Sequence, residues 1–171
     1  MLRFQMTVQG AKEIDAALIG LRLAHADLRP VWPEISYAME TMMTDRFNSE
    51  GGGTWPGLDE AYAKWRLRHY PSAGWMILRR SFRLHASLTD STNSLGGDAI
   101  RDMSAPDQFR FGTSVPYAGA HHAGEGSVKQ RKILDFTVLN QKVLMRIIHR
   151  FIIESLKGAK AGFNTGVGSS E

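Results

Sequence analysis

The chain of 171 residues contains no cysteine. That excludes disulfides, thiolate zinc sites and a cysteine nucleophile, and it suits a reducing compartment. Acidic side chains are missing from one long interval: residues 61–89 hold no Asp or Glu, while Lys64, Arg66, Arg68, Arg79, Arg80 and Arg83 fall inside it. The opening MLRFQMTVQGAKEID has no apolar leader core, so no signal peptide is expected. No hydrophobic run is both long and uncharged. The greasiest one, residues 139–156, carries Lys142, Arg146, His149, Arg150 and Glu154, which excludes a simple membrane span. Catalytic signatures are lacking too. The glycines at 51–53 are not followed by Lys-Ser/Thr, so they make no phosphate loop, and Ser114 has no G-x-S-x-G context.

What is present is a globular composition with 43% hydrophobic residues, enough for one domain with a core. The expected domain covers 1–157. Residues 158–171 form a Gly/Ser-rich tail, expected to order only in an assembly. The net charge of +4 is mildly basic, and a second cluster, Lys129, Arg131 and Lys132, joins the acid-free interval. Two readings stay open for these cations: a surface facing nucleic acid, or a basic face meeting solvent or acidic patches on neighbouring subunits.

The hydrophobic pattern predicts an α+β fold. Leu2, Phe4, Met6 and Val8 alternate with polar residues, as in a half-buried strand. Ile14, Leu18, Leu21 and Leu28 predict a helix over 11–28, and Ile35, Met39, Met42, Met43 and Phe47 a second one opened by Pro33. Those methionines read as flexible core filler. NSEGGGTWPG at 48–57 is a loop. Helices are expected over 58–70, with Asp59 and Glu60 at its N-terminus, and over 76–88. In the latter, Arg79 and Arg83 would share a face with Arg80 beside them. Strands at 99–104 and 108–113 form a hairpin about Pro106-Asp107, with Phe109 and Phe111 on one face and Arg110 on the other. The closing helix, 138–156, is apolar over too wide an arc for one packing partner. It is therefore deeply buried or shared with another subunit.

The stretch FGTSVPYAGAHHAGEG, 111–126, looks at first like a metal or catalytic loop. Adjacent side chains point apart, so His121 and His122 cannot readily share a metal, and the i, i+4 spacing of helical zinc sites is missing. A structural corner fits better. Pro116 sets the entry of a short helix, Tyr117 anchors it to the hairpin, and small residues allow close approach. No cofactor or metal is expected, nor any enzymatic activity.

The order of these pieces is also familiar. TWPGL and AYAKW are followed by ILRRSFRLHASL, then the corner with Gly112, Thr113, Val115, Pro116, Tyr117, Ala118, His121 and Gly124, then KQRKILDF and a closing helix. Over residues 46–156 this resembles the virion morphogenesis (tail completion) family of tailed phages and Mu-like prophages. The chain departs from that pattern in Ser81-Phe82, where a Thr-Gly pair is usual, and in Arg131-Lys132-Ile133-Leu134, which lacks the usual proline. The resemblance implies a ring-forming structural protein of the neck or head-proximal tail end, assembled in the host cytoplasm, that completes or terminates the tail and joins it to the head. Its implied partners are further copies of itself in a hexameric ring, neighbouring neck or tail-tube proteins and, non-specifically, genomic DNA. A DNA-associated head or packaging accessory factor is the alternative. For Arg79, Arg80, Arg83, Lys129, Arg131 and Lys132, either role makes an interface or a DNA-facing surface.

Overall fold

The computed structural model describes residues 2–7, 27–90, 92 and 97–164, with side chains described from 27 to 155. The helix expected over 11–28 lies almost wholly outside the described residues. The chain divides into two units, Met1–Asp135 and Phe136–Glu171.

Mixed helix and sheet build the first unit. Strand β1 (Leu2–Thr7) pairs antiparallel with β3 (Gln108–Thr113), and β3 also pairs antiparallel with β2 (Ala99–Asp102), giving the order β1-β3-β2. The expected hairpin is therefore present, with β3 in the middle of the sheet. Its alternation is as read: Phe109 and Phe111 are fully buried and Arg110 is exposed.

A single turn of 3-10 helix (Arg29–Val31) leads into α1 (Trp32–Asn48), whose first turn holds Pro33. The stripe Trp32, Ile35, Met39, Met43 and Phe47 is buried at helical spacing. Trp32 stacks on Phe109 at 5.9 Å, and its indole N–H donates to the Ala105 carbonyl at 2.9 Å. The turn of the hairpin and the start of α1 are thereby fixed to each other.

Helix α2 (Glu60–His69) begins at Asp59, whose carboxylate accepts the Tyr62 amide at 3.1 Å. The helix expected over 76–88 is not formed as one piece. Only α3 (Arg83–Thr89) is helical, and the chain before it turns at Leu78 and Phe82, both at positive φ (60° and 58°). Ile77, Leu84 and Leu88 still reach the core, but from two differently oriented segments.

Helix α4 (Ala118–Ala123) follows the corner. The second unit is built on α5 (Val138–Asn164), which runs beyond the expected end at 156 and takes in the start of the supposed tail. Residues 165–171 lie outside the described part. On α5 the apolar side chains Val138, Leu139, Met145 and Ile153 are exposed.

Candidate functional site

The corner is a structural device, held differently from the expectation. Val115 and Ala118 are fully buried, whereas Tyr117 is 40% exposed and its ring lies edge-to-face with His121 at 6.1 Å. Tyr117 is therefore not the buried anchor. Thr113 takes that place, fully buried, with its hydroxyl 2.7 Å from that of Ser87 on α3 and accepting the Val115 amide at 3.2 Å. Gly112, buried within β3, pairs with Ile100 and Arg3 on either side, and Pro116 is exposed. Gly124 ends α4 in the left-handed region at φ +77°. A Cβ there would lie 2.8 Å from Cβ of Gln130, so only glycine lets the following segment pass this close.

The two histidines grip that segment. The His121 carbonyl accepts the Arg131 amide at 2.7 Å, and His122 Nδ1 accepts the Ile133 amide at 3.1 Å. Burial pushes both imidazoles below the usual histidine range. The neighbouring Arg131 adds to the effect on His121, and Lys132 and Arg46 add to it on His122, opposed by Asp135. From the other side, Arg46 and the Trp55 indole both donate to the Lys132 carbonyl, and Arg46 also pairs with Asp135 at 2.9 Å. Trp55 can fold back in this way because Gly51 (φ +74°) carries no Cβ. One there would sit 2.3 Å from the indole ring. The glycine-rich loop thus serves packing. Among the described residues no group of three or more His, Asp or Glu could hold a metal ion.

The cations do not form the shared helical face expected of them. Arg79 is buried, donating to Asn48 Oδ1 at 2.7 Å and lying over the Phe47 ring. Arg83 pairs with Asp98 at 2.5 Å, which raises its own pKa and lowers that of the carboxylate. Arg80, between them in sequence, is exposed and lies over Tyr70 with its guanidinium carbon 5.6 Å from the ring centroid. The turn at Leu78 and Phe82 is what sends Arg79 and Arg80 to different places. Arg131 is buried and donates to the Pro56 carbonyl at 2.9 Å, while Lys129 and Lys132 are exposed. Arg66 is buried as well, and Lys64 pairs with Glu60. Much of the acid-free interval's charge is therefore spent inside the fold or neutralised.

The surface of α2 carries a feature that the sequence reading passed over. Tyr62, Trp65 and His69 stand at i, i+3 and i+7 on one face. Tyr62 stacks on Trp65 at 5.8 Å, Trp65 on His69 at 4.6 Å, and Tyr70 tilts against Trp65 at 5.9 Å. The His69 ring is held by its Nδ1–H, which donates to the Trp65 carbonyl at 2.7 Å. Trp65 is 43% exposed, and Trp75, beyond the 3-10 turn Pro71–Ala73, is 56% exposed. The signal was the spacing of Tyr62, Trp65 and His69, with only Ala63 and Arg66 of α2 buried beneath.

Beside this strip lies a cavity of about 690 Å³, between the start of α2, the 78–81 turn and the segment after α4. Tyr62, Arg80, Tyr117, His121 and Lys129 all border it. No protein-family model, curated protein or solved structure matches this chain.

Proposed function

We propose that this chain is a structural subunit of a tailed-phage virion, acting at the neck or the head-proximal end of the tail. There a homo-oligomeric ring would complete or terminate the tail and join it to the head. The observation that carries this reading is the exposed strip Tyr62–Trp65–His69–Tyr70 with Arg80 above it. Protein interfaces concentrate Tyr, Trp and Arg in this way, and rigid stacked rings lose little entropy when covered. Exposed apolar residues on α5 support the same reading, as does the resemblance of the corner Gly112, Thr113, Val115, Pro116, Tyr117, His121 and Gly124 to that of tail-completion proteins. No catalytic or cofactor role is assigned to any residue.

The test is particle size. Wild-type protein at micromolar concentration should form rings in negative-stain images, and Trp65→Ala with Tyr62→Ala should leave folded monomers. Antibody labelling of intact virions should place the protein at the neck.

One observation favours a second reading, a DNA-associated head or packaging accessory factor. Stacked aromatics beside Arg80 also suit the bases of single-stranded nucleic acid. A protein that stays monomeric and binds DNA with a steep salt dependence would favour this factor over the ring subunit.

A further inference from the structure

We propose that the cavity beside the aromatic strip is a binding site for a carboxylate carried on an apolar body. The inference is independent of whether the protein forms rings.

Positive charge predominates on the cavity wall. Its lining includes Arg66, Arg80, Lys129 and Arg131, against a single carboxylate, that of Asp59. Asp59 is already engaged as the cap of α2, accepting the Tyr62 amide. None of the four cations has an ion-pair partner among the described residues, although Arg29, Arg46, Lys64, Arg83, Arg101 and Arg110 do. Arg131 is satisfied by carbonyl oxygens of Pro56 and Gly57.

Arg66 is not satisfied. It is 1% exposed, its Nη2 donates to the Ala73 and Met76 carbonyls, and its Nε–H has no acceptor. The buried Nδ1 of His121, on the same cavity, also has no partner. A buried donor with nothing to donate to costs about 1–3 kcal/mol, and more when charged. Both atoms are closed off from solvent, so an anion from outside would meet the surplus of positive charge through the exposed Arg80 and Lys129.

The remaining wall decides which anion. Leu58, Tyr62, Leu78 and Val128 supply apolar lining, and the volume falls in the range of about 300–1,000 Å³ typical of small-ligand sites. A bare, strongly hydrated phosphate would leave that wall uncovered. A duplex backbone would not enter a cavity at all. A planar carboxylate can pair with the exposed cations Arg80 and Lys129 while its apolar body covers the wall. Two sources carry this chemistry: an acidic side chain of another protein chain, including a second copy, or a free small acid.

The probe is phenylacetate, with acetate and inorganic phosphate as comparators, titrated into dilute full-length protein. Binding is followed by the NMR signals of the Arg66 Nε–H and the His121 ring. Phenylacetate should shift both and bind about tenfold more tightly than either comparator, the equivalent of about 1.4 kcal/mol. Arg80→Ala with Lys129→Ala, both exposed positions, should weaken it by a similar factor. Lys142→Ala on α5 should not. If phenylacetate shrinks assemblies on mass photometry, the natural carboxylate comes from a protein chain. If particle mass stays constant while binding persists, the source is a small acid. Equal affinity for phosphate and phenylacetate, no shift at Arg66, or binding indifferent to the double variant would overturn the proposal.

Discussion

The hydroxyls of Ser87 and Thr113 lie 2.7 Å apart in a fully buried position, joining α3 to the end of β3. Each hydroxyl has one proton, so the partners fix a direction. The Val115 amide donates to Thr113, Thr113 to Ser87, and Ser87 to the Leu84 carbonyl at 2.9 Å. Thr113→Val keeps the shape but strands the Val115 amide. It should cost about 1–3 kcal/mol, measured by denaturant unfolding. Ser87→Ala should cost less, about 1 kcal/mol, because it strands only a hydroxyl proton. The double variant should cost less than the sum of the two. Strict additivity would mean that the chain of donors is not coupled.

Arg101 is a second buried junction. Its guanidinium lies 3.8 Å from the Phe111 ring centroid, pairs with Glu40 of α1 at 3.0 Å, and donates to the carbonyls of Ile100, Gly112 and Ser87. Arg101→Met should destabilise the domain by about 3–5 kcal/mol, since it leaves Glu40 and three carbonyls without their donor. Adding Glu40→Met should recover part of that loss in the same unfolding assay. No recovery would show that the carbonyl bonds, not the ion pair, dominate.

Acid should loosen the first unit. His85 packs edge-on to Phe47, and burial, assisted by the charge of Arg79, pushes its pKa down to about 4. The unfolded chain takes up this proton near the ordinary value of 6.5. The native state is thus favoured above pH 6.5 and loses that advantage as the pH falls from there toward 4. His121 and His122 are lowered in the same direction and add to the effect. The melting temperature should fall through this window, and His85→Phe should make the fall shallower. A variant with an unchanged slope would remove His85 from the account.

Gly124→Ala should cost about 1–2 kcal/mol from the left-handed backbone alone, with a further loss from the clash with Gln130. The same change at Gly57 meets open space and should be nearly neutral. Thermal melts of the two variants make the comparison, and equal melting temperatures would contradict it.

Much of the fold was legible because hydrophobic period carries it. The inward Phe109 and Phe111, the buried stripe of α1 and the Asp59 cap all follow from spacing. The break at Leu78 and Phe82 was not legible. Neither Gly nor Pro marks it, and Ile77, Leu84 and Leu88 keep a helical spacing even though two segments deliver them. Charge was misleading for a related reason. Composition counts Arg66, Arg79, Arg101 and Arg131 as surface cations, but each is drawn inward to acceptors that only the folded chain brings together. The aromatic strip was readable in principle from Tyr62, Trp65 and His69. The cavity was not, since its walls come from three distant segments.

The turn that separates Arg79 from Arg80 also separates their tolerance to change. In an unbroken helix, residues 79, 80 and 83 would vary together, each limited by the same neighbours. Here position 79 answers to Asn48 and Phe47, position 83 to Asp98, and position 80 to whatever reaches the outer surface. Randomise all three and select for solubility, and the survivors should keep arginine at 79 while accepting almost anything at 80. Adjacent letters of the sequence would then record two unrelated selections, one imposed by the fold and one by the environment outside it.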